Sequence, residues 1–571
     1  MNTQKYLKIV VALIFISCFN ISCNDDFLDR PPLDEMTDAN FWQSEAHVVS
    51  AANALYTGLT GAYRLNIYEI MGDCSPWAVT TAWRNIGGGN YASDQSQLNS
   101  FWVSKYRLIR RCNYFLENYH LATSVSEEKR ERYAAEARFH RAFQYFELTT
   151  FFGNVPLITK TLNVSSEDLY RGRDEVSEIV KFITEDLENS YQHLPEFIQP
   201  ASQEFGRISQ GAALALLSRI YLYNKEWNKA ISACEKAMNL GYELYSTGKP
   251  ENDYMDIFNF NGRASRKAAN REVILAYVYN FDLGEVASSS HNISRSNWVP
   301  NDYARFLPTH TQVKAYLTAD GTIWNPASAS SYEEVFENRD PRMNQSILPP
   351  NTTWEGGKDG NPNNSDNKLF TYPKLINDKR GAMTYSGYYM RKMVEPSKVS
   401  TVSQDDNDVI IFRYAEILLN YAEAKMELGQ LDQTTIDLTI NRLRDRVGMH
   451  RMNLDELAQK GMDLRTEVHR ERQVELFFEG HRWCDIRRWG QGYLLGNDLL
   501  GVNKKWLDPL KLGKTKEEGQ KIINEFNYNS EGYLILESNR RYSSPKNDLL
   551  SVPYKQMERN SNLRPNNPGW D

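Results

Sequence analysis

Cysteine is scarce in this 571-residue chain, which has six, and no two stand in C-x-x-C spacing. Four of them follow the first 23 residues and are widely scattered: Cys74, Cys112, Cys234 and Cys484. A disulfide framework is typical of short chains with closely spaced cysteines. The sequence therefore argues against a disulfide framework, and the chain is long enough to bury a large core.

Blocks of basic residues are also missing. The 66 Lys and Arg residues are outnumbered by 73 Asp and Glu, which gives a net charge of −7 with both signs interspersed. Because binding to phosphates needs a basic face, this balance argues against a nucleic-acid partner.

The common catalytic signatures are absent. No H-E-x-x-H or G-x-S-x-G string occurs, and the nine histidines are dispersed. The string at residues 513–515 would need a glycine at position 508 to form a phosphate-binding loop, and Asp508 stands there. We therefore predict no catalytic residues, no cofactor and no enzyme activity. A glycoside hydrolase is the enzyme alternative, because 73 acidic residues offer many candidate carboxylate pairs.

A calcium loop begins at Asp359, Asn361 and Asn363 but is not completed. Asn364 replaces the glycine of the turn, and Phe370 replaces the bidentate glutamate. We predict no metal site here, and a calcium site of another design remains open.

The N-terminus has the layout of a secretory signal. Two lysines precede an apolar run from Ile9 to Phe19, which is followed by Ser22 and Cys23. This run is shorter than the roughly 20 residues that a membrane-spanning helix needs. We predict that residues 1–22 are a lipoprotein signal peptide, that Cys23 is lipidated and anchors the chain to a membrane, and that residues 24–26 form a flexible acidic tether. An ordinary signal peptide with a chance cysteine is the alternative.

Helical periodicity is clear in both halves of the chain. It predicts helices at Ser44–Gly61, Leu98–His120, Ser126–Phe152, Val176–Leu194, Gln210–Asn224, Lys225–Leu240, Val409–Leu428, Gln433–Val447 and Arg465–Trp489. Between these two halves the pattern changes to short β-prone runs, such as Glu272–Tyr279, separated by polar loops. We predict one unit, 23–571, with a helical scaffold mainly at 40–240 and 409–490, a loop-rich module mainly at 241–408 and an irregular part at 491–571.

One predicted helix pair has the spacing of a tetratricopeptide helix-turn-helix. Four residues of Gln210–Leu240 meet that spacing: Leu217, Tyr221, Ala230 and Ala237. Weaker versions occur near Ala142 and at residues 422–429. The sequence therefore predicts a mostly α fold of stacked tetratricopeptide-like helix pairs with a few short strands. The alternative at each place is an ordinary αα-hairpin.

Several strings follow one another in order along the mature chain. They are Phe27–Pro32, Ala134–Phe143, Phe151–Ile158, Asn338–Arg342, Arg413–Ala424, Arg470–Arg472, Glu479–Gly490 and Asn562–Trp570. Together they resemble the SusD/RagB family of Bacteroidetes outer-membrane lipoproteins over essentially the whole chain from Cys23. Asn20 and Ile21 depart from the usual leucine-containing sequence before the lipidated cysteine.

The resemblance implies a tetratricopeptide-like scaffold whose irregular segments carry a glycan site. It implies a cell-surface lipoprotein that captures oligosaccharides or polysaccharides and delivers them to a SusC-like TonB-dependent outer-membrane transporter. It also implies lipid anchoring in the outer membrane, facing the cell exterior. The alternatives are a peptide-binding importer component like RagB and a purely structural lid for the barrel.

Two polar stretches combine flat aromatic rings with side chains that can bind hydroxyls, as sugar recognition requires. Residues 73–97 offer Trp77, Trp83, Arg84, Asn85 and Tyr91. Residues 291–324 offer Asn297, Trp298, Tyr303 and Trp324. By position, both stretches resemble those that build the aromatic platform of starch-binding family members. We predict that Trp83 and Trp298 face one sugar chain, and the alternative for each tryptophan is packing between loop and scaffold.

Other conspicuous residues are interpreted as structural. Trp102 has partners at core spacing, and Trp483 and Trp489 lie within a charged motif. The alternation of Arg and Glu from Arg465 to Arg488 is interpreted as an ion-paired, solvated helix face rather than an active site.

Overall fold

The computed structural model describes residues 41–59, 61–261, 270–293, 303–353, 369–376, 383–398 and 403–570. In chain order, α1 to α21 are Glu45–Leu55, Gly61–Met71, Ala82–Gly87, Ser96–Asn118, Glu127–Phe152, Val176–Glu188, Gln210–Tyr223, Trp227–Met238, Asp253–Asp256, Ser289–Ile293, His310–Ala315, Pro341–Ser346, Tyr414–Glu427, Gln433–Leu438, Ile440–Val447, Leu454–Gln459, Leu464–Glu475, Arg482–Arg488, Pro509–Leu512, Lys516–Asn524 and Tyr554–Arg559. The strands β1 to β6 are Val273–Tyr277, Thr352–Thr353, Leu369–Phe370, Val409–Arg413, Leu499–Asn503 and Tyr533–Glu537. The predicted mostly α fold with a few short strands is confirmed.

The long predicted helices are present, with three corrections. Val409–Arg413 is strand β4 rather than the first turn of α13. Thr439, with φ −123° and ψ −88°, breaks the next predicted helix into α14 and α15. The segment Arg465–Trp489 is also two helices, α17 and α18, because Phe478 and Gly480 between them have φ of 62° and 82°. A left-handed residue cannot continue a right-handed helix.

The helix pair that the sequence predicts is formed by α7 and α8, which pack along each other. Leu217 and Tyr221 of α7 face inward, and Ala230 and Ala237 of α8 are fully buried. Because alanine adds only a methyl group, α8 can approach α7 on one side and α13 on the other. Helices α4, α5 and α6 pack as successive neighbours in the same manner.

Two clusters of buried apolar residues form the hydrophobic core of the described chain, and the smaller one joins α1 to α4 and α5 around Val48, Phe115 and Ala137. One continuous cluster of buried residues begins at Leu59 and reaches Leu563, and Trp483 and Trp506 lie fully inside it. The helical segments and the irregular segments therefore bury their apolar side chains against each other.

The described residues form three antiparallel strand pairs, and the first of them joins an irregular segment to the scaffold. β1 pairs with β4, with Val273 opposite Arg413, and this confirms the predicted β-prone run at Glu272–Tyr279. β2 pairs with β3, and β5 pairs with β6, with Leu499 opposite Glu537. The first pair brings the middle of the chain onto the N-terminal end of α13.

The charged motif around α17 is buried, which corrects the prediction of a solvated face. The Arg413 guanidinium contacts Glu272 at 2.8 Å, Glu475 at 2.7 Å and Glu479 at 2.7 Å. Burial alone would raise the pKa of Glu475, but three surrounding arginines outweigh it and hold that pKa well below its usual range. The motif is therefore ion-paired, as predicted, but it is a polar core.

The four cysteines after residue 23 are all buried, and none of them forms a disulfide bond within the described residues. In the described ranges, the helices are too short or too polar to cross a bilayer.

Candidate functional site

The two predicted site stretches meet in the structure. Residues 74–78 run antiparallel to residues 305–309, joined by backbone hydrogen bonds donated by Ala78, Leu307 and Thr309 at 2.7, 3.0 and 2.9 Å. Side chains that are more than 200 positions apart are thereby brought to one place.

A partly exposed aromatic surface lies at one end of this pairing. The ring centroids of Tyr303 and Tyr385 are 5.7 Å apart, and the Arg305 guanidinium lies 4.2 Å from the Tyr303 centroid. We call Tyr303, Arg305 and Tyr385 the tyrosine surface. Burial raises the pKa of Tyr385 above its usual value, and the protonated hydroxyl can both donate and accept hydrogen bonds.

Tyr385 was missed by the sequence analysis. An aromatic residue in a polar, glycine-containing stretch is the signal that could have found it, since the same signal singled out Tyr303. Its partner became evident only from the contact between backbone residues 303 and 383.

Trp77 is half-buried beside this surface. Its ring meets Phe306 edge-on at a centroid distance of 4.8 Å, and its carbonyl accepts a 2.7 Å hydrogen bond from Arg84. One part of the ring is therefore fixed by packing, and the remainder is open.

Trp83 and Arg84 point into the interior. Trp83 is 8% exposed and packs edge-on against Phe101 and Phe151. Arg84 forms a buried ion pair with Glu537 of β6. The structure thus corrects the expected orientation of both residues. The Trp83 ring is enclosed by other rings and has no face open to a sugar, and the Arg84 guanidinium is held by Glu537. Trp83 packs between loop and scaffold.

Three further predicted residues are separated from the tyrosine surface. Asn85 is partly buried, and its carbonyl accepts the Asn90 N–H at 2.8 Å. The Tyr91 ring packs on Trp570 at 4.5 Å. Trp324 is buried beneath Arg339, whose guanidinium lies 3.8 Å from the ring centroid, so its predicted exposure is also corrected.

Cys23, Asn297 and Trp298 lie outside the described residues, as does most of the calcium-like segment at 359–370. The corresponding assignments remain predictions.

A polar cavity of about 610 Å³ lies at the other end of the pairing, beyond Thr309. Its lining includes Asp73, His310, Lys314, Arg470, Gln473 and Arg482. Asp73 and Arg482 form an ion pair at 2.9 Å, which outweighs burial and lowers the pKa of Asp73. Side chains fixed in this way can satisfy hydroxyl groups of a ligand without rearranging.

Among the described residues, one group has the spacing of metal ligands: Glu423, Glu427 and His469. Glu423 already accepts hydrogen bonds from Arg488 at 2.5 Å and from the Trp489 indole at 2.7 Å. His469 stacks on Trp489 at 3.8 Å. Because a metal cation would lie beside the positively charged Arg488 guanidinium, we interpret this group as part of the ion-paired core. Trp102 and Trp483 are buried and Trp489 is stacked on His469, so we interpret these three tryptophans as structural.

The fold and site define a class of helix-pair protein in which irregular segments carry a partly exposed aromatic surface. The family model described as "SusD family" matches residues 271–570, and the model described as "Starch-binding associating with outer membrane" matches residues 26–222. The chain belongs to the SusD family.

Relatives match this chain over nearly its full length. SusD-like protein P2 of Formosa agariphila is 24% identical, with 99% of this chain and 100% of the relative covered. A SusD-like protein from Bacteroides fragilis has a solved structure that matches with a TM-score of 0.75 at 25% identity, covering 95% of this chain and 100% of that one. A SusD-like carbohydrate binding protein from the same organism matches with a TM-score of 0.74 at 24% identity, covering 92% of this chain and 100% of that one. A laminarin binding SusD-like protein matches with a TM-score of 0.63 at 18% identity, covering 92% of this chain and 100% of that one.

Proposed function

We propose that this protein is a cell-surface glycan-binding lipoprotein that captures oligosaccharides and delivers them to a SusC-like TonB-dependent outer-membrane transporter. The observation that carries the proposal is the tyrosine surface, where two phenol rings lie 5.7 Å apart beside a guanidinium. Rings of this kind stack on the C–H faces of sugars, and the hydroxyl and guanidinium groups bind sugar hydroxyls.

Family membership supports the same reading. One matching family model is described as starch-binding and as associating with the outer membrane, and two structural neighbours are described as carbohydrate or laminarin binding. The predicted lipid on Cys23 would hold the protein at that membrane.

Retention on polysaccharide gels tests the capture step. Tyr385→Ala and Tyr303→Ala in the full chain are each expected to weaken retention roughly fivefold to tenfold, since each removes a stacking ring. Tyr170→Ala is the matched control, because Tyr170 is 59% exposed on another loop. Unchanged retention of both tyrosine variants on every glycan that the wild type binds would refute the assignment.

Three further measurements separate the alternatives. New reducing ends after incubation with polysaccharides would identify a glycoside hydrolase, and retention of peptides instead of glycans would identify a peptide importer. For delivery, deletion of the gene should slow glycan uptake by cells. If uptake slowed although the purified protein bound nothing, the protein would be a lid for the barrel.

A further inference from the structure

A second cavity, of about 630 Å³, opens between the loop at 89–91 and the irregular segment at 538–547. The lining residues that matter here are Asn90, Tyr91, Asn539, Arg541, Lys546 and Asn547. Residues 89–91 follow the C-terminal end of α3, whereas Trp77 precedes its N-terminal end. The cavity shares no lining residue with the tyrosine surface.

The lining is basic. Arg541 and Lys546 are its two charged residues, and no carboxylate occurs among the described residues that line it. Neither cation forms an ion pair with a described residue: Arg541 is exposed, and Lys546 lies over the Trp570 ring at 4.4 Å. Two cations on one wall, with no acidic partner in the described part of the chain, favour an anionic ligand.

One residue of the lining also carries a buried hydrogen-bond donor. Asn547 is only 1% exposed, and its Oδ1 accepts the Ser543 N–H at 2.9 Å, which fixes the orientation of the amide. Its Nδ2 is buried and has no hydrogen-bond partner among the residues that the structure describes. Because an unpaired buried donor is costly, an acceptor supplied by a ligand would satisfy it.

The walls of the cavity are held in place. The Arg541 N–H donates to the Gly88 carbonyl at 2.7 Å. Gly89 has φ +78°, and a Cβ there would lie 2.7 Å from the Tyr542 backbone, so only glycine allows this close contact. The site is therefore preformed, which lowers the entropy cost of binding.

We infer that this cavity binds a saccharide unit that carries an anionic group, a carboxylate or a sulfate. The guanidinium of Arg541, the ammonium of Lys546 and the amide of Asn547 donate to its oxygens in charge-assisted hydrogen bonds. The inference rests on the proposed glycan capture, and it adds that the captured glycan is acidic.

Affinity electrophoresis of the full chain tests this at physiological ionic strength, where weak surface attraction is screened. The probes are polygalacturonate for carboxylate, dextran sulfate for sulfate and dextran as the neutral counterpart. Wild type is expected to be retarded by at least one anionic probe, and the probe that retards it identifies the group. Retardation by neither overturns the inference.

Arg541→Gln and Lys546→Met are each expected to weaken that retardation roughly tenfold, the usual loss for a charged hydrogen bond. Asn547→Asp keeps the acceptor for Ser543 and turns a carboxylate oxygen toward the ligand, so it should weaken binding as well. Lys521→Met, an exposed change of the same kind in α20, is the control and should leave retardation within about twofold. Equal retardation of wild type, Arg541→Gln and Lys546→Met would overturn the inference.

This result is separable from the proposed function. If the anionic probes fail while neutral polysaccharides retain the protein through the tyrosine surface, only the acidic-sugar inference falls. If no glycan of either kind retains the protein, both fall.

Discussion

Arg84 and Glu537, 453 residues apart in the chain, form a buried ion pair that ties α3 to β6. We expect Glu537→Gln to reduce the free energy of unfolding by about 1 to 3 kcal/mol, because the Arg84 guanidinium loses its charged partner and keeps only carbonyl acceptors. Urea denaturation followed by circular dichroism measures this, and Arg84→Met/Glu537→Gln together should lose less than the sum of the single changes. Additive losses would show that the two side chains do not interact.

Trp83 and Tyr385 should respond in opposite ways to replacement by alanine. Trp83→Ala opens a hole beside Phe101 and Phe151 and should cost about 3 to 5 kcal/mol. Tyr385→Ala removes a partly exposed ring and should cost less than about 1.5 kcal/mol. Thermal unfolding and glycan retention, measured on the same samples, check both. If Trp83→Ala is folded at low temperature but no longer retained by glycan, Trp83 belongs to the binding site.

Ala230 sits at the contact of α8 with its neighbours and is fully buried. Ala230→Leu should destabilise the protein by about 1 to 3 kcal/mol, because the added atoms push the helices apart. Ala54→Leu, on the exposed face of α1, is the comparison and should be close to neutral. Equal unfolding midpoints for both variants would contradict close packing at Ala230.

Glu69 should make stability depend on pH. Burial raises its pKa to about 7, although Ser75 and the Gly480 N–H donate to the carboxylate at 2.7 and 2.6 Å. The pKa of an unfolded glutamate is about 4.3, so the folded state binds more protons between these values and stability falls as pH rises through this window.

Glu69→Gln removes this titration. Compared with wild type, the variant should lose up to about 3 kcal/mol less stability between about pH 4.5 and pH 7.5. Urea midpoints at several pH values give the difference directly. A wild type that loses no more stability than the variant over this range would show that Glu69 does not titrate there.

Cys23 tests the anchoring prediction independently of the described residues. Cys23→Ala should leave glycan retention by the purified chain unchanged and abolish its recovery with the outer membrane in fractionated cells. Membrane recovery equal to wild type would rule out lipid as the anchor.

Local patterns were sufficient to predict most of the scaffold. The 3.6-residue periodicity of α5 and α7 and the small alanines of α8 are properties of neighbouring residues, so they can be read from the chain. The breaks were harder, since φ above zero at Phe478 gives no signal in residue type.

The candidate site was predicted less well, because burial depends on partners that are distant in sequence. The residues next to Trp83 and Arg84 in the sequence do not indicate that Phe151 and Glu537 will contact them. The same local composition of aromatic and polar residues would also suit an exposed sugar-binding surface. The alternation of Arg and Glu in α17 misled for the same reason: Arg413, which buries Glu475, is 62 residues away.

The closure of residues 84–91 by residues 537–547 also has a consequence for the order in which the chain folds. Contacts of such high sequence separation form slowly, since a long loop must close first. A chain that is synthesised from its N-terminus therefore cannot complete its first third until residue 547 has emerged. Chains interrupted before that point would lack the partners of Arg84 and Gly88, and we expect a protease to cleave them faster than the complete chain.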